Sequence, residues 1–311
     1  MKLKMPFFKN PKEQSQTLKQ IKPDSALDSF VGGGGGTFMI NNQELDKARN
    51  LIYQLAGIHM PENKNSIIEN RLEKLTKELK FDNFTNFLNQ VESGQYKQQF
   101  INALTTNKTD FFREGFHFLD MMDRVLPREF KKEKGLKIYC AASSTGEEPY
   151  SIAATLLEAQ KIYSYTFPLS IVATDIDTSV LEIARKGEYL VDTSLNPLPD
   201  WISLNDYFDI KSTEDNKIAM NAKEKLKKII TFGQHNLCKE KYPFNKNEFD
   251  IIFCRNVLIY FKVEDQSKIL NRLFSHLKIN GTLYLGHSES ILDLSSKVER
   301  LGRNIFIKRM D

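Results

Sequence analysis

Apolar residues recur at helical spacing from about residue 45 onward. Leu45, Ala48, Leu51, Ile52 and Leu55 fall on one stripe, with Asn41 as a cap before it and Gly57 as a stop after it. A second stripe of Ile67, Ile68, Leu72, Leu75 and Leu79 predicts a helix over about 66–79, with Arg71, Lys74, Lys77 and Lys80 largely off the stripe. Phe84, Phe87, Leu88 and Val91 predict a third helix, and Phe100, Ile101 and Leu104 a fourth. These four predict a helical bundle over residues 41–105. Ahead of it, residues 1–40 are polar and lysine-rich and end in five glycines, 32–36, the composition of a flexible leader.

From Gly135 the period changes. Short apolar runs at 137–141, 170–174, 229–233, 249–254, 282–286 and 304–308 alternate with helical patterns at 149–160, 179–186 and 264–277, the mark of a parallel sheet wrapped by helices. Residues 106–134 form the linker and first helix of this domain, which occupies 135–311. Between 189 and 228 the alternation gives way to prolines, polar residues and β-prone pieces at 207–210 and 217–220, so a small inserted β-subdomain is expected there.

Composition narrows the class. At 311 residues, 41% hydrophobic and 27% charged, the chain reads as a globular protein of two domains or one large one. No apolar run approaches the roughly 20 residues that span a bilayer, and MKLKMPFFKNPKEQ lacks the apolar core of a secretory signal. Cys140, Cys238 and Cys254 lack metal-ligand spacing, and neither they nor the five histidines predict a metal site. A net charge of +4, with acids and bases interleaved, is too weak to argue for nucleic acid. A cytoplasmic, monomeric protein without membrane insertion is the expectation.

The candidate chemistry sits at two strand ends. LKIYCAASSTGEEPYS (136–151) runs from a strand through a small-residue turn into a helix, and IVATDIDTSVL (171–181) is a strand tipped by Asp175. A doubly wound sheet holds a nucleoside this way, the carboxylate receiving the ribose hydroxyls. The turn has one glycine, Gly146, where a pyrophosphate loop usually has three, and two acids, Glu147 and Glu148, follow it. The acids suit a helix N-terminus as simple caps; they are also compatible with a cationic ligand such as S-adenosylmethionine. Asp177 reads as the cap of the helix after it.

TTNKTDFFRE (105–114), CAASSTGEEPYSIA (140–153), ATDIDTSVLEIARKGEY (173–189), FDIIFCRNVLIYF (249–261) and LKINGTLYLGHSES (277–290) together resemble the CheR family of chemotaxis receptor methyltransferases over roughly 41–311. The resemblance implies an α/β, Rossmann-like class I S-adenosylmethionine methyltransferase fold, a doubly wound sheet with an all-helical N-terminal domain and the inserted β-subdomain. It implies methyl transfer from S-adenosylmethionine to glutamates on the cytoplasmic helices of chemoreceptors, giving methyl esters and S-adenosylhomocysteine, without a metal. By motif position it implies Asn107, Thr109, Arg113, Glu148, Asp175, Asn236, Leu237, Arg255 and Asn256 as cofactor-binding residues, with Arg113 and Tyr260 catalytic. Glu147 is the weaker member of its pair.

Two features bear on partners. The basic positions of the second helix are a solvated face or a docking face for an acidic helix. Some relatives bind a receptor-tail peptide through a glycine-punctuated loop of the insert, whereas YFDIKSTEDNKIAMN (207–221) has no glycine, so tail binding is not expected. Rival readings are a family member kept as a binding or regulatory module, one acting on a non-chemotaxis protein, and a nicotinamide-dependent oxidoreductase.

Overall fold

The computed structural model describes residues 40–129, 135–213 and 216–310. The leader expected over 1–40, its glycine run included, lies outside the described residues except for Ile40. That residue is no part of a leader: it is buried with Leu45 in the bundle core. It stands one position before the Asn41 cap, where an apolar residue staples the first helical turn.

The bundle consists of α1 (Asn42–Ala56), α2 (Asn65–Glu78), α3 (Phe84–Ser93) and α4 (Lys97–Leu104). A reciprocal capping box between Asn41 and Glu44 starts α1, and Gly57 ends it in the left-handed region at φ 73°. The core holds Ile52, Ile68, Leu72, Phe87, Leu88 and Phe100. Ile67 departs from the stripe read in the sequence: it is 40% exposed. Arg71 also leaves the solvated face, because its guanidinium donates to Leu104 O at 3.0 Å and Thr105 O at 2.7 Å. It thereby satisfies carbonyls left over at the end of α4.

A helical stretch follows: α5 (Phe116–Asp120), a π-helical turn (Met121–Val125) and α6 (Leu126–Glu129). Then come β1 (Leu136–Ala141), α7 (Glu147–Ile162), β2 (Leu169–Asp175), α8 (Thr178–Lys186), β3 (Glu188–Asp192), β4 (Phe208–Ser212), β5 (Lys217–Ala222), α9 (Glu224–Lys227), β6 (Ile230–Gln234), β7 (Phe249–Cys254), α10 (Val263–His276), β8 (Leu277–Leu285), β9 (Val298–Gly302) and β10 (Ile305–Lys308). The main sheet has the order β6-β2-β1-β7-β8-β10-β9. Its first five strands are parallel, and β10 and β9 run antiparallel at the edge.

Both faces of the sheet are covered, so residues 138–141 of β1 and 251–254 of β7 are apolar on both faces. On β1, Ile138 and Cys140 join the core with α7, while Tyr139 and Ala141 join the one with α10. The insert is a three-stranded antiparallel sheet, β3-β5-β4. Tyr189 ties it to the turn after β1 by donating to Thr145 O at 2.8 Å, and Tyr207 donates to Glu158 of α7 at 2.6 Å. Bundle and sheet belong to one compact unit.

Candidate active site

The C-terminal ends of β1, β2, β6 and β7 open into a cleft of about 1150 Å³, solvent at its mouth included. The chain leaves β1 toward β2 on one side and returns as β7 on the other, the switch point at which open sheets bind ligands. All the residues singled out above line this cleft: Asn107, Thr109, Arg113, Glu148, Asp175, Asn236, Leu237, Arg255, Asn256 and Tyr260. They differ in what their side chains are free to do.

Asp175 closes β2 with its carboxylate buried. Oδ2 accepts from Ser144 N at 2.8 Å and Oδ1 from Asp177 N at 2.9 Å. Burial pushes its pKa up to about 6, although the Asp177 and Ser144 amides pull the other way. Each oxygen keeps a lone pair, so two hydroxyls of a sugar fit the group. Asp177 does cap α8, accepting from Ser179 N through Oδ1, and its Oδ2 also takes the amide of Asn107 at 2.8 Å and the hydroxyl of Thr105 at 2.7 Å. The side chain of Asn107 therefore fastens the linker rather than facing a ligand unencumbered.

The turn after β1 does not work as its glycine suggested. Gly146 is absent from the cleft wall. A Cβ there would meet Tyr189 Oη at 2.8 Å and Ala184 Cβ at 2.9 Å, so its bareness serves packing against α8 and the insert. Ala142 and Ser144 form the wall instead, both at positive φ. Ser143 N donates to Thr174 O, Ser144 N to Asp175 and Gly146 N to Ser143 O. With these three amides spent internally, the turn has fewer donors left to cradle a pyrophosphate. It suits a nucleoside cofactor without phosphates, as S-adenosylmethionine is, and disfavours a nicotinamide dinucleotide.

The two acids of α7 also divide. Glu147 stands off the cleft wall and accepts from Thr145 Oγ1 at 2.6 Å. Glu148 faces the cleft but is held by Arg255 at 2.6 Å. The guanidinium screens that carboxylate, but Arg255 is shared with Glu114 and does not neutralise both.

Arg255 has a fully buried side chain. Besides Glu148 it bonds the carbonyl of Arg113 and lies 3.3 Å from Glu114 Oε2. Its guanidinium thus spans three segments and is a strut of the wall. Glu114 lies in the quoted motif, yet nothing in the residue pattern set it apart. Its Oε1 accepts from Asn256 Nδ2 at 3.3 Å and meets His287 Nδ1 at 3.0 Å. Burial alone would raise the Glu114 carboxyl; Arg255 and the donors from His287 and Asn256 outweigh it and hold the pKa at about 2. Asn256 takes a left-handed φ of 57°, and Gly286 leaves room for it, since a Cβ at 286 would lie 2.6 Å from Asn256 Nδ2.

Asn236 keeps the role of a turn residue: Oδ1 accepts from Cys238 N at 2.8 Å and Nδ2 donates to Leu55 O in α1 at 3.0 Å. Leu237 beside it is buried and adds an apolar side chain to the cleft wall. Beside them His235, considered in the sequence only for metal spacing, also lines the cleft with Nε2 buried and unpartnered. Burial, helped by Lys239 and His276, lowers its pKa to about 4, so it is neutral.

Arg113 is different. Its guanidinium makes one long bond, 3.4 Å to Lys108 O. Tyr260 lines the same cleft, with Lys64 Nζ 5.7 Å from its ring centroid. Ile67, read in the sequence as part of the apolar stripe of the second helix, completes this side with Met60 and Lys64. Among the described residues no cluster of side chains has the composition of a metal site, and no helix is long and apolar enough to cross a membrane.

Two family models match the chain. One described as "CheR methyltransferase, SAM binding domain" matches residues 107–307, and one described as "CheR methyltransferase, all-alpha domain" matches residues 43–105. Chemotaxis protein methyltransferase 2 of Pseudomonas aeruginosa is 36% identical over 274 residues, which cover 88% of this chain and 95% of that protein. The chemotaxis protein methyltransferase of Borreliella burgdorferi is 38% identical over 260 residues, covering 81% and 89%. That of Escherichia coli is 38% identical over 264 residues, covering 84% and 89%.

Proposed function

The chain belongs to the CheR methyltransferase family, and from that premise we propose that it methylates glutamate side chains on the cytoplasmic helices of chemoreceptors. The products are glutamate methyl esters and S-adenosylhomocysteine. In this reading residues 41–105 are the helical domain, 106–134 the linker and first helix, and 135–311 the catalytic domain with its insert at about 189–228. The protein works as a monomer, and in the cytoplasm, where Cys140, Cys238 and Cys254 stay as free thiols.

S-adenosylmethionine supplies a methyl group on a positively charged sulfur. Asp175 takes the ribose, Leu237 and the backbone of Asn236 flank the adenine, and Thr109 and Arg113 reach the amino-acid end. Glu148, Arg255 and Asn256 shape the wall between them. The acceptor needs no strong base, because a glutamate is already ionised at neutral pH. What remains is alignment and exclusion of water. The observation that carries the reading is the Arg113 guanidinium, which lines the cleft with its fork open to a carboxylate, either that of the acceptor glutamate or that of the methionine end. Tyr260 orients the incoming carboxylate against the methyl carbon.

Incubation with methyl-labelled S-adenosylmethionine and receptor-containing membranes tests the reading. Label on the receptors that alkali releases as methanol is expected. Base-stable label, or no label from a protein that binds S-adenosylhomocysteine, overturns the assignment.

A further inference from the structure

The turn after α1 is built into the cleft wall. Ala56, Ile58, His59 and Met60 all line the cleft. Leu55 O accepts from Asn236 Nδ2 at 3.0 Å, Ile58 forms an isolated antiparallel bridge with Phe261, and His59 N donates to Tyr260 O at 2.8 Å. One turn of the helical bundle therefore grips two catalytic-domain loops, the one after β6 and the one carrying Tyr260. Farther back along α1, Tyr53 donates to Asp265 of α10 at 2.8 Å.

Gly57 sits between these grips. Its φ of 73° closes α1, and its N–H returns to Tyr53 O at 2.8 Å. The face where a side chain would stand is filled by Cys238. A Cβ at 57 would overlap Cys238 Sγ, lie 3.1 Å from Cys238 Cβ and approach Phe261 Cδ1 at 3.5 Å. Cys238 is the residue whose amide holds Asn236, and Phe261 follows Tyr260. An added Cβ at 57 pushes on the loop after β6 through Cys238 and comes into ordinary contact with Phe261 beside Tyr260.

We propose that Gly57 is a positioning residue for methyl transfer. By admitting the Cys238 side chain against the end of α1, it sets the distance between the helical bundle and the two loops that hold the adenine and Tyr260. The bundle is then a wall of the cofactor site. The proposal rests on the cofactor placement given above.

A double-mutant cycle tests it, with S-adenosylhomocysteine affinity by calorimetry, kcat and KM for receptor membranes, and thermal melting as readouts. Wild type is measured first, and absence of binding there would refute the cofactor placement itself. Gly57→Ala in the wild-type chain should weaken S-adenosylhomocysteine tenfold or more and lower kcat, with receptor KM changed less than threefold. In a Cys238→Ala background, which removes the Sγ, adding Gly57→Ala should cost less than threefold in affinity. Equal losses in the two backgrounds, or no loss in either, overturn the proposal. If Gly57→Ala alone does not fold, the double variant decides. Cooperative melting with affinity within threefold of Cys238→Ala supports the proposal, and a double variant that binds tenfold more weakly or fails to fold overturns it.

Discussion

The guanidinium of Arg255 donates to the Glu148 carboxylate at 2.6 Å with its side chain fully buried. The same group faces Glu114 and holds the carbonyl of Arg113. Removing one partner of such a pair leaves charges without compensation, at a cost of about 3–5 kcal/mol. Arg255→Met should destabilise the protein by that amount in urea melts and weaken S-adenosylhomocysteine as well. Arg255→Lys should rescue little, because one ammonium does not reproduce the fork that reaches two carboxylates and a carbonyl. A loss below about 1 kcal/mol in Arg255→Met would show the strut to be dispensable.

Arg113 stands at the other extreme. With a single long contact to Lys108 O, its side chain does little for the fold. Arg113→Ala should keep stability within about 0.5 kcal/mol of wild type. It should lower kcat/KM by on the order of a hundredfold or more, as loss of an ionic contact in the transition state does. Melting curves beside steady-state kinetics check both halves, and a variant as active as wild type would remove Arg113 from the site.

Tyr260 is placed by its backbone, whose carbonyl accepts from His59 N and whose ring stands under Lys64. Its hydroxyl is therefore separable from its packing. Tyr260→Phe should lower kcat about tenfold while S-adenosylhomocysteine affinity and Tm stay near wild type, the pattern of a contact made only in the transition state. An unaltered rate contradicts the orienting role.

The insert yields a negative prediction. β3, β5 and β4 form its sheet, and the stretch 207–221 carries no glycine at which a peptide backbone could approach closely. Titration with a receptor C-terminal peptide should produce no heat, and the full receptor should be methylated equally with and without its tail. Micromolar binding to the insert would refute this.

How much was legible depends on burial. The strand at 249–254 is legible to its observed bounds because all six residues are buried and five of them, all but Asp250, are apolar. β3 and β9 escaped. EYLVD and VERLG are mostly exposed or half-exposed, each at the edge of its sheet, and leave no clean alternation. Glu148, Asp175, Asn236, Leu237, Arg255 and Asn256 gather because they follow the ends of parallel strands, which topology brings together, while Asn107, Thr109 and Arg113 join them from the linker. What each side chain does was not legible. Asn236 is consumed by Leu55, 181 positions away, Arg255 by Glu148, 107 away, and Gly146 by packing on Tyr189. Such partners are set by tertiary contact, which no local pattern encodes.

Asp175 provides a test by acidity. Burial raises its pKa to about 6, against the pull of the Asp177 and Ser144 amides and with the help of the Asp177 charge. The folded protein therefore holds a proton that the unfolded chain loses near 3.8, so this group's contribution to stability is full below 3.8 and lost as pH rises through 6. Ribose hydroxyls donate to the ionised form, so binding has the opposite sign. S-adenosylhomocysteine affinity should be level above pH 7 and fall on the order of tenfold per pH unit below 6. Calorimetry at pH 6 in two buffers of different ionisation enthalpy should register proton release on binding. Asp175→Asn should bind more weakly and lose the dependence. A dissociation constant that stays flat from pH 5 to 7.5 in folded protein would remove the sugar from Asp175, and melting curves at each pH separate the expected result from acid unfolding.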